Sequence, residues 1–409
     1  MSNNKEQPNY HYQTQIVHDK DQTQDQYGAV VQPIYQTSLF TFDSWQEIEQ
    51  AFEDKINNAI YTRGCNPTVQ LAEKKIANLA GGEKAKLFGS GMAAISAGML
   101  HFLSEGDHVV TLKNIYGPCI SLLKDLLTPK MNIETSFISG IDIEEFEQAI
   151  KANTKLIYIE SPTSAIFTIQ NLKQIAELGK RHGIATMIDN TWATPLYQKT
   201  LNLGFDADGD ELGIDLEVHS CSKYLSGHSD IVAGVLIGST ELIDAIHVRE
   251  YELLGAKIAP VEASLLIRSL RTLDMRMARH QENALKVAHF LDSHPKISQV
   301  NYPGLVSFPQ YELAKEQMIG FSGLMSFRFE CNELVQVQNF FNSLKLFQIG
   351  VSWGGHESLI YAPAIGYLKE HSSEQFAKMG LSLGDMRISV GLENVDDLIT
   401  DLATSLATI

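Results

Sequence analysis

A chain of 409 residues exceeds one ordinary core, and its 44% hydrophobic content supplies a large domain with a smaller one appended. The formal charge of −17 argues against nucleic acid or an anionic membrane surface as partner, since either selects for excess Lys and Arg. Four scattered cysteines, Cys65, Cys119, Cys221 and Cys331, show neither CxxC nor metal-ligand spacing, so reduced thiols and no disulfide are expected. The polar start, MSNNKEQPNYHYQTQ, lacks an apolar core of signal-peptide type, and no run approaches a membrane span, so a cytoplasmic protein is expected.

Residues 1 to about 28 are rich in Gln, Asn and Asp, and should be mobile unless a partner subunit fixes them. TFDSWQEIEQAFEDK reads as a helix capped by Asp43 or Ser44. From Pro67 to about residue 265, helix and strand alternate. A helix, a short strand at KAKLFG and a second helix opening at the SGM turn come first. DHVVTL, TKLIYIES, ATMIDN, DLEVHS and AGVLIGS follow, short Val- and Ile-rich runs bounded by Gly, Asp or Ser, as buried parallel strands are. SLLKDLL and NLKQIAELGKRHG between them are helical by period, the second closed by Gly183. A long amphipathic helical pattern from about Ala263 to His294 marks the passage to a C-terminal α+β portion. The pattern is α/β, with an arm over 1–65, a large domain over 66–265 and a C-terminal domain over 266–409.

Lys223, in EVHSCSKYLSGHSD, follows a strand and stands between hydroxyl side chains and glycines. An exposed lysine is usually a solvated group, but a partly buried one can lose its proton near neutral pH and act as a nucleophile. Ser220 and Ser222 add hydroxyl donors suited to a phosphate. Asp189 ends ATMIDN, placing a carboxylate at the edge where parallel sheets bind ligands. In isolation a turn aspartate explains it equally well. At that edge it could pair with a protonated pyridine nitrogen of pyridoxal phosphate (PLP). GSGMAAIS is a glycine turn into a helix whose free amides can hold a phosphate dianion; alone it is a weak signal. Phosphate turn, strand-end acid and strand-end lysine, in that order, form the set a PLP enzyme needs.

At this point the chain resembles the Cys/Met-metabolism family of PLP enzymes, most closely its cystathionine β-lyases, over about residues 28–408. The matching strings are AVVQPIYQTSLF, YTRGCNPT, GSGMAAI, NIYGP, IESPTS, IDNTWATP, SKYLSGHSD, SWGGHESL and RISVGLENVDDLITDL. The resemblance implies a fold-type I transferase architecture, aspartate aminotransferase-like, with a mainly parallel central sheet and a smaller C-terminal α+β domain. It implies PLP as cofactor, attached at Lys223, which then moves the substrate's Cα proton. Asp189 is the implied pyridinium partner. Ser90, Gly91, Met92, Ser220 and Ser222 are the implied phosphate donors. Tyr61 and Arg63 are implied to reach the neighbouring subunit's cofactor phosphate, giving a homodimer or homotetramer with shared sites. Tyr116 is implied to stack on the ring and assist the leaving group. Arg387 is implied to clamp the substrate carboxylate beside Ser352.

Three features bear on the reaction. Trp353 stands where most γ-acting members carry Leu, Ser164 and Ala165 stand where they commonly read Asn-Pro, and Val351 stands where cystathionine γ-lyases and γ-synthases commonly place Glu. The first two resemble proteobacterial cystathionine β-lyases. Methionine γ-lyases share the Val, but place Cys soon after the YG of NIYGP, where this chain has Pro118 before Cys119. Two departures fall outside the motifs: an acidic insertion over 206–215, and APAIGYLKEHSSEQF in place of a Met-Thr-His pattern. The expected reaction is β-elimination of L-cystathionine to homocysteine, pyruvate and ammonia. γ-Elimination or γ-replacement is the alternative, and a non-catalytic PLP-binding homologue a further one. The roles of His228 and His356 stay open, since loop histidines are more often structural than catalytic. A metal hydrolase is set aside for want of HExxH or clustered ligands.

Overall fold

The structure, a computed structural model, describes residues 10–18, 27–331, 333–366 and 382–409. Much of APAIGYLKEHSSEQF lies outside the described residues. Among the described residues two sheets form. The larger contains β1 (Lys84–Phe88), β2 (His108–Leu112), β3 (Glu134–Ile138), β4 (Thr154–Glu160), β5 (Ala185–Asp189), β6 (Leu216–Ser220) and β7 (Gly234–Gly238). Their order is β1-β7-β6-β5-β4-β2-β3. From β6 to β3 every pairing is parallel.

The inner strands carry apolar side chains on both faces because helices cover both. Gly98, on the helix Gly91–Phe102, lets that helix press on the sheet: a Cβ there would stand 2.8 Å from Met187 Cε. The helix Leu172–His182 buries Leu172, Ile175, Ala176, Leu178 and Gly179, one face at helical spacing, and stops at Gly183 with φ +62°.

AGVLIGS is a buried strand as expected, but β7 runs antiparallel to both β6 and β1. Residues 221–233 between β6 and β7 form turns with no crossover helix, which a parallel return would require. That short return places Lys223 directly after β6.

The second sheet contains β8 (Ile297–Asn301), β9 (Leu324–Phe329), β10 (Gln348–Ile349), β11 (Leu359–Tyr361) and β12 (Asp385–Ser389), ordered β10-β11-β12-β9-β8. Its core includes Phe327, Phe329, Phe340, Leu398 and Leu402. Trp192, three residues beyond β5, is buried in the same cluster and donates its indole N–H to the Leu324 carbonyl at 3.0 Å.

Two expectations are corrected. The pattern from Ala263 to His294 is two helices, Pro260–Leu270 and Leu273–Asp292. The Ser269 carbonyl accepts from the Thr272 N–H at 3.1 Å and the Arg276 guanidinium at 3.0 Å, so side chain and turn satisfy the helix end. Within the amino-terminal segment, residues 10–18 are docked on their own chain. Ile16 is buried, the Tyr12 hydroxyl donates to Asp274 at 2.7 Å, and Lys75 donates to the Ile16 and His18 carbonyls. The helix Trp45–Glu53 is capped by Ser44, which accepts from the Glu47 N–H at 3.2 Å.

Candidate active site

Strands β1, β4, β5 and β6 end at one side of the larger sheet, where a cavity of about 410 Å³ opens. That volume suits a small cofactor with its substrate. On one wall, Ser90 caps the helix Gly91–Phe102 by accepting from the Ala93 N–H at 3.0 Å, leaving the first amides of Gly91 and Met92 facing an anion's natural position. A Cβ on Gly91 would stand 3.0 Å from Ser220 Cβ, and one on Gly234 would stand 2.3 Å from the Ser90 carbonyl oxygen. Glycine at both places lets the turn, the end of β6 and the start of β7 converge into a cradle. Ser222 lines the cavity too, with its hydroxyl accepting from the Ala233 N–H at 3.0 Å.

Lys223 stands opposite. Its ammonium donates to the Ser352 hydroxyl at 2.9 Å and lies 5.5 Å from the centroid of the Trp353 ring. Burial, reinforced by the nearby Arg387 charge and only partly opposed by Asp189, pushes its pKa down to about 8. Such an amine is neutral in about one molecule in ten at pH 7, far more often than an ordinary lysine, and the neutral form is the nucleophile.

Asp189 is buried at the end of β5 and accepts from the Thr191 N–H at 2.9 Å. Burial raises its pKa, while Thr191, His219 and Lys223 pull it down. A buried carboxylate held by fixed donors fits a protonated ring nitrogen. Tyr116 is partly exposed at the rim; burial first, then the Asp189 and Glu160 carboxylates, raise its phenol's pKa. Arg387, on β12, donates to the Val351 carbonyl at 2.6 Å, and its guanidinium carbon lies 5.4 Å from the Tyr361 ring centroid.

The cavity gathers Ser90, Gly91, Met92, Tyr116, Asp189, Ser220, Ser222, Lys223, Ser352, Trp353 and Arg387. Three expected residues lie apart. The Val351 side chain is exposed, and this residue meets Arg387 through its carbonyl. Tyr61 and Arg63 line a separate cavity of about 450 Å³ with Gln36, Thr37 and Ser38. Cys119 is fully buried in the main core and does not line the cavity. His228 bonds to the Ser226 carbonyl, and His356 pairs with Glu357 at 3.2 Å.

Among the cavity residues that the sequence reading did not single out, Glu160 stands nearest the expected chemistry. Glu160 ends β4 directly beside Asp189, with which it pairs across the strands. The signal existed: IES, like IDN, ends a buried strand in an acid.

A nucleophilic lysine across from a buried carboxylate and a helix-capped anion cradle defines an enzyme that works through bound PLP. The chain belongs to the Cys/Met metabolism PLP-dependent enzyme family, whose model matches residues 13–407. It is 39% identical to an L-methionine gamma-lyase of Fusobacterium nucleatum subsp. nucleatum, over 93% of this chain and 94% of that one. A cystathionine beta-lyase of Coxiella burnetii is 36% identical over 97% of this chain and 98% of that one. A solved cystathionine gamma synthase from Xanthomonas oryzae pv. oryzae, in complex with aminoacrylate and cysteine, superposes with a TM-score of 0.87 at 34% identity, covering 98% of each chain. The fold is therefore fold-type I, its cofactor is PLP, and its class is that of the Cys/Met lyases.

Proposed function

We propose that this enzyme eliminates a thiol from the β-carbon of a sulfur amino acid, with L-cystathionine as substrate. The observation that carries the reading is Trp353: its indole stands 5.5 Å from the Lys223 amine and 5.5 Å from the Tyr224 ring, narrowing the space beside the reacting carbon. Arg387 would hold the substrate carboxylate, and Ser352 would orient the lysine. The neutral Lys223 amine would take the Cα proton. Bound PLP supplies an electron sink for that step. Cleavage of the Cβ–S bond then expels homocysteine, whose sulfur takes a proton from the Tyr116 hydroxyl. Hydrolysis of the remaining three-carbon fragment yields pyruvate and ammonia.

Ser90, Gly91, Met92, Ser220 and Ser222 would hold the phosphate and Asp189 the ring nitrogen. Tyr61 and Arg63 would complete a neighbouring subunit's site, which accounts for their distance from this chain's own cavity. The two sheets would correspond to a large cofactor domain and a smaller C-terminal one. Among the described residues no helix is long and apolar enough to cross a membrane.

A γ-elimination reading is favoured by the Fusobacterium relative's name and by Val351. Incubation with L-cystathionine separates the two: pyruvate with homocysteine supports the β-lyase, whereas 2-oxobutyrate with cysteine transfers the reading to γ-elimination.

A further inference from the structure

Glu160 is buried at the cavity wall, and both of its oxygens are engaged. Oε2 accepts from the Tyr116 backbone N–H at 2.6 Å, and Oε1 meets the Ser164 hydroxyl. The Ser164 N–H in turn donates to the Asn114 carbonyl at 3.1 Å. One carboxyl group thus ties the loop after β2, which carries Tyr116, to the loop after β4. Its register partner on β5 is Asp189. Two carboxylates side by side in a dry site cannot both ionise cheaply.

We propose that Glu160 is a positioning residue that fixes Tyr116 while holding a proton at neutral pH, leaving Asp189 as the ionised member of this carboxyl pair. The charged groups around Glu160 come from three directions. Asp189 on β5 opposes its ionisation, Arg387 on β12 favours it, and Lys223 shares the cavity. Burial first and Asp189 second raise the Glu160 pKa to about 8, and the Ser164 and Tyr116 bonds oppose that rise. Below this value Glu160 is neutral. Above it a second negative charge enters beside Asp189, and the pull on Tyr116 changes.

The inference rests on the role proposed for Tyr116, so its test includes a readout independent of turnover. Infrared difference spectra of the cofactor-free protein should show a carboxylic-acid carbonyl band that disappears as pH rises through about 8 and is absent from Glu160→Gln. In Asp189→Asn the same band should titrate at lower pH. Activity supplies the second readout. Glu160→Gln, whose amide oxygen still accepts the Tyr116 N–H, should lose an alkaline limb from the pH profile of kcat/KM. Glu160→Ala should lower kcat on the order of tenfold to a hundredfold, as misplacement of a reacting group does. Ser164→Ala, milder for folding, removes a bond that opposes the rise and should move the Glu160 titration to higher pH, opposite in direction to Asp189→Asn. A band unaltered by Glu160→Gln, or a Glu160→Ala enzyme with unchanged kcat, overturns the proposal. If Tyr116→Phe turns over normally while the band behaves as described, the fault lies in the role given to Tyr116 and the charge assignment for Glu160 stands.

Discussion

Competitive acylation of the cofactor-free protein across pH tests the environment of Lys223 before any question of substrate. With its pKa pushed down to about 8, about one amine in ten is neutral at pH 7, against about one in three thousand for an ordinary lysine at 10.5. Lys223 should therefore outpace exposed lysines by up to about 300-fold per unit of intrinsic reactivity, less whatever steric shielding the cavity imposes. The labelling midpoint, read by mass spectrometry of the Lys223 peptide, is free of that shielding. Arg387→Met removes the charge that most opposes the ammonium, so the midpoint should move upward, toward 10.5. The sign for stability follows. The folded state disfavours the ammonium, so this group destabilises the fold below about pH 8, and the penalty fades as pH climbs toward 10.5. A Lys223 midpoint coinciding with that of the exposed lysines would refute the argument.

Other outcomes follow from named contacts. Ser90→Ala deletes the cap of the helix Gly91–Phe102 and should lower stability by about 1 kcal/mol in urea titrations, with weaker retention of PLP on dialysis. Trp192→Ala empties a buried indole between the sheets and should cost about 3–5 kcal/mol by the same measurement. Trp353→Leu widens the cavity beside Lys223; under the β-lyase reading it should lower kcat/KM for L-cystathionine about 10–200-fold, the range for a reshaped apolar contact. An unchanged keto-acid yield from that variant would remove Trp353 as a specificity determinant.

Much of the site was legible because its residues end short apolar runs. A buried strand must stop at a polar residue, so Asp189 and Lys223 could be placed at a sheet edge from pattern alone. Glu160 ends β4 by the same rule, but its partnership with Asp189 depends on β4 and β5 being neighbours, which local sequence does not encode. Strand direction was equally hidden: GVLIG is as apolar in β7 as any parallel strand, and only the missing crossover helix reverses it. The break after Leu270 was invisible because Arg271 and Thr272 suit a helix well enough; the buried Arg276 guanidinium supplies the reason for it from the next helix. Docking of residues 10–18 depends on Lys75 and Asp274, far off in sequence.

The turn Asp189-Asn190-Thr191-Trp192 is only four residues long, yet its two ends belong to different sheets. Asp189 ends β5, while Trp192 is bonded to β9 and packed among Phe167 and Tyr302. β9 is the hydrogen-bonded neighbour of β12, which carries Arg387. The Asp189 carboxylate and the Arg387 guanidinium are therefore mounted on one connected bracket of turn and paired strands. Any closing motion around a substrate must be taken up by loops outside it, with the span between these two charges as its fixed gauge.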